Sequence, residues 1–255
     1  MRCIYREKSY KCGDYKEVYV YPVYATTAKV GSRRRKAKPT GEAQARLNKR
    51  ISENNLVRLL NANFTSSDLA FDLTYKKECR PSTVKQAQCE LQNFLRRLKR
   101  YRKQHGLPPL KYISVTERCE RGAVHHHLVI NGGVGINVLA LLWGKGYTKA
   151  TPLQLDETGL VAKGRYMAKQ ALCYKLFNAS KNLNRPQPTS RDGRLSQRKA
   201  MDLCMDIYNK ERFESMYEGY TFAEANSFYN EINGGIYLCI RLYKKGLKFG
   251  RKRKR

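Results

Sequence analysis

Three consecutive histidines set between apolar residues are the feature of this sequence that most limits how it can fold. They stand in AVHHHLVI (123–130), which follows KYISVTE (111–117) across the short segment RCERG. Both runs are rich in β-branched and apolar residues, so they predict two strands, Lys111–Glu117 and Ala123–Ile130, joined as a hairpin. Because LVI is typical of a protein core, the histidines must lie on sheet faces where other groups satisfy them.

The alternation of side chains along a strand divides the three histidines between two faces. His125 and His127 project from one face with α-carbons about 7 Å apart, and His126 projects from the other. Glu117 ends the preceding strand, and the hairpin folds its carboxylate back toward the histidines. Two imidazoles and one carboxylate leave coordination positions open for water and a phosphate oxygen, as a catalytic metal site requires. We therefore predict a metal site formed by His125, His127 and Glu117.

Two other interpretations of this segment stay open. Glu120, in the turn, is the alternative third ligand, although the turn should carry it away from the histidine face. The histidines could also be a polar run on a solvent-exposed strand, which is the usual explanation for a lone histidine but leaves the apolar flanks unexplained.

The charge balance narrows the class of partner. The chain has 51 Lys and Arg against 21 Asp and Glu, a formal net charge of +30 over 255 residues. Such an excess favours a polyanion as partner, with nucleic acid as the first choice and an acidic membrane surface as the weaker one. No apolar run reaches the roughly 18 residues of a membrane span, and the first residues have no secretory apolar segment. We expect a cytoplasmic protein with no membrane partner.

Clusters of cations are the candidates for contact with phosphates. One lies in the basic linker GSRRRKAKPT (31–40), a second on the C-terminal half of a long predicted helix, and a third in the tail GRKRKR (250–255). The alternative is that these residues are solvated surface charges. The predicted DNA-binding residues of the first two clusters are Arg33, Arg34, Arg35, Arg96, Arg97, Lys99 and Arg100.

The remaining periodicities predict a mixture of helices and strands. A strand over 15–25 carries Pro22, which favours an edge position, and the segment 181–199 is predicted to be a loop. We predict further strands at Leu69–Tyr75 and 234–243, helices over 40–61, 81–104, 137–143 and 159–176, and two short helices near the C-terminus.

Three segments in this order resemble the motifs of HUH endonucleases, and more narrowly those of rolling-circle replication initiators from small single-stranded-DNA phages and phage-like elements. They are LAFDLTY (69–75), GAVHHHLVI (122–130) and RYMAKQ (165–170). Asp72 stands where the family more often has a neutral residue, His126 fills a hydrophobic slot, and Gln170 replaces a second tyrosine. SKNLNRP (180–186) resembles the run beyond the catalytic helix, so the resemblance covers about residues 65–186.

The resemblance implies both an activity and a fold. Tyr166 would attack a scissile phosphate of single-stranded origin DNA to form a 5′-phosphotyrosyl intermediate, and Lys169 would position the nucleophile or the DNA phosphate. Tyr174 is the rival nucleophile. The implied cofactor is Mg²⁺ or Mn²⁺. The implied fold is α+β, with a central antiparallel sheet that carries His-x-His on a middle strand and helices packed on its face.

Three regions and several partners complete the expectation. Residues 1–60 form a basic N-terminal region, 61–186 the endonuclease core, and 187–255 an accessory region with a basic tail. No Walker phosphate loop occurs, so we expect a host helicase and a host DNA polymerase in a bacterial cell. A single nucleophile makes a dimer possible. The alternative function is a non-catalytic nucleic-acid binder such as a repressor or packaging protein.

Overall fold

The computed structural model describes residues 3–24, 41–118, 123–169, 176–230 and 235–249. Their fold is α+β, with two antiparallel five-stranded sheets and six α-helices in the described ranges. The chain divides into two compact units. The terminal unit comprises Met1–Arg50, Asp156–Gly159 and Arg185–Arg255, and the central unit comprises Ile51–Leu155 and Leu160–Asn184. The predicted α+β class is confirmed.

The strands are β1 (Cys3–Cys12), β2 (Tyr15–Tyr24), β3 (Leu69–Leu73), β4 (Tyr112–Arg118), β5 (Val124–Ile130), β6 (Thr148–Pro152), β7 (Asn178–Ala179), β8 (Pro188–Asp192), β9 (Tyr220–Asn230) and β10 (Gly235–Lys244). The helices are α1 (Glu42–Asn63), α2 (Val84–Gln104), α3 (Ile136–Trp143), α4 (Val161–Lys169), α5 (Gln197–Met205) and α6 (Lys210–Met216).

The sheet of the central unit has the strand order β6-β3-β5-β4-β7. The histidine strand β5 lies in the middle, paired with β3 on one side and β4 on the other. Its register sets His127 opposite both Asp72 and Val115, and sets His125 opposite Glu117. The prediction that His-x-His lies on a middle strand of an antiparallel sheet is confirmed.

Helices cover both faces of the central sheet because every strand in its middle alternates two apolar sets. One set packs with α2 and α3, and includes Phe71, Leu73, Leu128, Ile130, Leu91, Phe94, Leu98 and Trp143. The other packs with α1 and α4, and includes Ala70, Ile113, Val115, Val129, Leu56, Leu60, Met167 and Ala168. Each face therefore has its own core, and polar side chains on β5 must be satisfied among packed helices.

The long helix α2 begins at Val84, three residues later than Pro81, where we predicted its start. Thr83 is the N-cap, and its hydroxyl accepts a hydrogen bond from the backbone N–H of Gln86. The side-chain carbonyl of Gln86 reaches back to the N–H of Ser82 at 2.9 Å. These reciprocal bonds satisfy free donors of the first turn and end the extended segment there.

The terminal unit contains a second sheet, of order β8-β1-β2-β10-β9, which covers α5 and α6 with its apolar face. The prediction of β2 as an edge strand is wrong, because β10 pairs with Tyr15–Val20 and stops before Pro22. The missing N–H of Pro22 therefore interrupts no bond to β10. Strand β8 forms within the segment predicted as a loop, where Arg6 on β1 holds Asp192 through two hydrogen bonds.

None of the helices in the described ranges combines the length and the apolar character needed to cross a membrane.

Candidate active site

The site lies on the face of the central sheet that packs against α1 and α4. Strand alternation turns His125 and His127 to this face together with Val129, whose side chain lies in the core beneath α4. Asp72 and Glu117 project from the two neighbouring strands on the same face and meet His127. The antiparallel pairing of three strands therefore brings two histidines and two carboxylates together.

His127 is the centre of the cluster. It is 5% exposed, and its ring bridges two carboxylates. Nδ1–H donates to Oδ1 of Asp72 and, in the protonated ring, Nε2–H donates to Oε2 of Glu117, each at 2.8 Å. Burial lowers the pKa of His127, but the hydrogen bonds and negative charges of Asp72 and Glu117 outweigh burial and raise it above the ordinary value. Without metal, a proton on Nε2 is thus favoured.

Asp72 was identified in the sequence only as a departure from the family pattern. In the structure its carboxylate fixes the orientation of the His127 ring. Burial raises the pKa of Asp72, and the bond from His127 with its charge, aided by Lys163 and Lys149, lowers it further, so the carboxyl is ionised at neutral pH. A carboxylate on Nδ1–H leaves Nε2 as the metal-binding nitrogen and increases its basicity.

His126 faces the opposite core and is fully buried. Its Nε2 lies 2.8 Å from the Tyr75 hydroxyl, and its Nδ1 lies 3.0 Å from the Thr116 hydroxyl. Burial, and to a smaller extent the neighbouring histidines, lowers its pKa to about 3, so the ring is neutral. Its edge also meets the indole of Trp143 at 6.1 Å between centroids. His126 is therefore a structural residue of the α2–α3 face.

Helix α4 carries Tyr166 to the histidine face. The tyrosine ring meets the His127 ring nearly edge to face, with 5.6 Å between centroids, and the side chain is 48% exposed. The approach of α4 depends on Gly164, since a Cβ there would lie 2.7 Å from Cγ2 of Val57 on α1. Gly164 thus lets the two helices pack closely enough to set Tyr166 beside His127. Tyr174, the rival nucleophile, lies outside the described residues.

Two lysines flank Tyr166 on α4 at a spacing of three residues. Lys169, which we predicted to act with it, is exposed at the C-terminal end of the helix. Lys163 was missed, although the i, i+3 rule applies to it equally. Its Nζ lies 5.4 Å from the centre of the Tyr166 ring. Burial lowers the pKa of Lys163, Asp72 partly restores it, and Lys149 lowers it again.

The donor set fits a divalent cation. No group of three potential metal ligands is already assembled among the described residues, because Glu117 bonds to His127 directly. The Nε2 and Oε2 atoms are 2.8 Å apart, close to the roughly 3 Å that separates adjacent ligands of an octahedral ion with bonds of about 2.1 Å. A cation would therefore replace the shared proton. Glu120, the alternative ligand, lies outside the described residues.

The cations predicted to bind DNA have different environments. Arg96, Lys99 and Arg100 are exposed on α2, whereas Nε of Arg97 donates to the Leu142 carbonyl at 3.0 Å. Arg102, on the same helix, is 2% exposed and donates to backbone carbonyls, so it is a structural residue. Residues 33–35 and the tail 250–255 lie outside the described residues.

Comparison with known proteins finds one similarity. Residues 68–171 match the model of a family described as replication-associated protein, of the ORF2 and gene 2 protein type. The stretch runs from just before β3 to just after α4 and contains Asp72, Glu117, His125, His127 and Tyr166. The match supports a replication initiator as the class of protein. No curated protein and no solved structure matches the chain.

Proposed function

We propose that the chain is a rolling-circle replication initiator of the HUH type, which nicks and rejoins single-stranded origin DNA through Tyr166. The observation that carries the proposal is the 5.6 Å between the rings of Tyr166 and His127. These side chains belong to segments about 40 residues apart, and a nicking enzyme needs them together because the nucleophile must reach a phosphate bound at the histidine face.

His125, His127 and Glu117 would hold Mg²⁺ or Mn²⁺, with Asp72 fixing the His127 ring. The bound cation would polarise the scissile phosphate and neutralise charge on its oxygens. Two nitrogen donors suit Mn²⁺ better than Mg²⁺, whose ligands are mainly oxygens, so Mn²⁺ is the better probe.

Tyr166 performs the covalent step. Its phenol proton leaves to solvent, and the Oη electron pair attacks phosphorus. A P–Oη bond forms, the P–O3′ bond breaks, and the leaving 3′ oxygen takes up a proton. The phosphotyrosyl ester keeps the bond energy, so attack by a 3′-hydroxyl reverses the step and rejoins the strand.

The lysines on α4 assist this step by their charge. A free phenol has a pKa of about 10, and a nearby ammonium group favours the phenolate. Lys163 lies over the Tyr166 ring, and Lys169 lies one turn beyond it at the exposed end of the helix. Lys163 would therefore favour the phenolate, and Lys169 would contact the DNA backbone.

The remaining partners follow from what the chain would leave undone. Unwinding and synthesis would come from a host helicase and a host DNA polymerase in the bacterial cytoplasm. A single nucleophile would release a closed circle either with a second protomer or after the tyrosine is regenerated.

Covalent capture with end-labelled DNA tests the proposal. The full chain is incubated with Mn²⁺ and a randomised single-stranded library, and adducts are resolved on a denaturing gel. A 5′-phosphotyrosyl bond predicts that a 3′-label stays with the protein, while a 5′-label leaves on a fragment ending in a 3′-hydroxyl. Peptide mapping should place the nucleotide on Tyr166.

Matched variants separate catalysis from folding. Tyr166→Phe should abolish the adduct, whereas Tyr208→Phe, at an exposed tyrosine of the terminal unit, should not. His125→Ala and His127→Ala should abolish it, whereas His105→Ala should not. Glu117→Gln should reduce it more than Glu120→Gln; the reverse order would move the third ligand to Glu120. Full activity of Tyr166→Phe would refute the nucleophile, and DNA binding without any wild-type adduct would favour the non-catalytic alternative.

A further inference from the structure

A pocket of about 620 Å³ opens on the central unit between the C-terminal half of α2, the start of β4 and the segment after β7. This volume is within the roughly 300–1,000 Å³ range of small-ligand sites. Tyr112 lines the pocket at the first position of β4, and Glu117 lies five residues further along the strand. At about 3.3 Å per residue, about 16 Å separates the two positions, so the pocket is distinct from the histidine site.

The rim of the pocket is positively charged from two sides. Lys99 and Lys103 lie one helical turn apart on α2, and Lys181 follows β7 on the other side; all three are exposed. None of the lining residues in the described chain is acidic. The pocket therefore favours an anionic ligand.

The wall beneath the lysines is shaped by a buried arginine. The guanidinium of Arg102 donates to the carbonyls of Pro108 at 2.7 Å and Gly132 at 2.9 Å. Asn182 donates to the Leu110 carbonyl at 3.2 Å and holds the segment after β7 against the same loop. These bonds fix the opposing walls, so the pocket is a formed feature of the fold.

The floor of the pocket is apolar. Leu107, Pro109 and Leu110 line it, together with the edge of Tyr112, over whose ring Nζ of Lys99 lies at 5.6 Å. An inorganic anion needs no apolar floor, whereas a nucleotide has both a phosphate for the ammonium groups and a flat base for the apolar wall.

We propose that this pocket binds one nucleotide of single-stranded DNA, with its phosphate among Lys99, Lys103 and Lys181 and its base on the floor. The choice of a DNA strand as the source of the nucleotide rests on the proposed function. The site would be a second anchor for the strand, away from the bond that is cleaved.

Charge-matched variants of the full chain test the pocket. Lys99→Glu/Lys103→Glu changes the pocket, and Arg96→Glu/Arg100→Glu makes the same charge change at the same spacing on α2 outside it. Affinity for a fluorescent 15-mer of thymidylate and for an all-abasic 15-mer is measured by anisotropy. A chelator is present, so the outcome does not depend on nicking.

The pocket pair should weaken binding of thymidylate about tenfold more than the control pair, since both pairs lose the same long-range attraction. Wild type and control should prefer thymidylate over the abasic strand by about fivefold or more, and the pocket pair should lose that preference. Equal losses in the two pairs, or a preference kept by the pocket pair, would overturn the site. Thymidine monophosphate that binds as tightly as the 15-mer, with the same sensitivity to the pocket pair, would overturn the strand as occupant.

Discussion

Acid should unfold the central unit partly through His126. This imidazole is fully buried, and burial lowers its pKa from 6.5 to about 3. Between these two pH values the unfolded chain binds a proton at this residue and the folded chain does not. The stability that His126 contributes is therefore present above pH 6.5 and is lost as the pH falls toward 3.

The size of the effect follows from the shift. A difference of roughly 3.5 units corresponds to roughly 5 kcal/mol across the whole range, and about 3 kcal/mol of it is lost by about pH 4.5. His126→Leu removes the titration. At neutral pH the variant should be less stable by about 1–3 kcal/mol, because the hydroxyls of Tyr75 and Thr116 lose a buried partner. The free energies of unfolding of the two proteins should thus converge as the pH falls.

Urea unfolding at pH 7.5 and pH 4.5 measures the difference. Trp143 is the only tryptophan in the chain and packs on the His126 ring, so its fluorescence reports on this core. Wild type should lose about 3 kcal/mol more than His126→Leu between the two pH values, since contributions from other groups cancel. Equal losses would refute the assignment of a neutral buried imidazole. At neutral pH His126→Leu should keep its nicking activity, because the side chain faces away from Tyr166.

Four further outcomes are expected. Gly164→Ala should reduce adduct formation in a folded protein by pushing α4 off Val57, at a cost of about 1–3 kcal/mol; Val57→Ala should restore activity, and no rescue would refute the packing argument. Asp72→Asn should weaken Mn²⁺ binding about tenfold at high pH, and should shift the pH midpoint of binding downward because His127 becomes less basic; paramagnetic resonance titration measures both, and an unchanged midpoint would contradict the His127–Asp72 coupling. Lys163→Met should slow single-turnover adduct formation at saturating DNA more than Lys169→Met, which should mainly weaken DNA binding; the reverse order would return the main role to Lys169. Replacing the cations of the tail 251–255 with alanine should flatten the salt dependence of DNA affinity by about 0.7 per lost phosphate contact, and an unchanged slope would exclude the tail from binding.

Much of the central unit follows from short-range pattern. The hairpin around RCERG and the apolar stripe of α2 repeat within a dozen residues, so strand and helix periods identify them. The same alternation separates His126 from its neighbours and sets Glu117 near His127. Boundaries were less well predicted, because the caps at Thr83 and Gln86 decide where α2 begins.

Only the tertiary structure decided which distant segments pair. The terminal sheet joins β1 with β8 and β2 with β10, about 180 to 220 residues apart, and no local period specifies such partners. Pro22 illustrates this, since its edge preference held no information about where β10 would end. Asp72 and Lys163 show the same limit within the site. A side chain's pKa and partners depend on what packs against it, and for these two residues the neighbours come from other strands and helices.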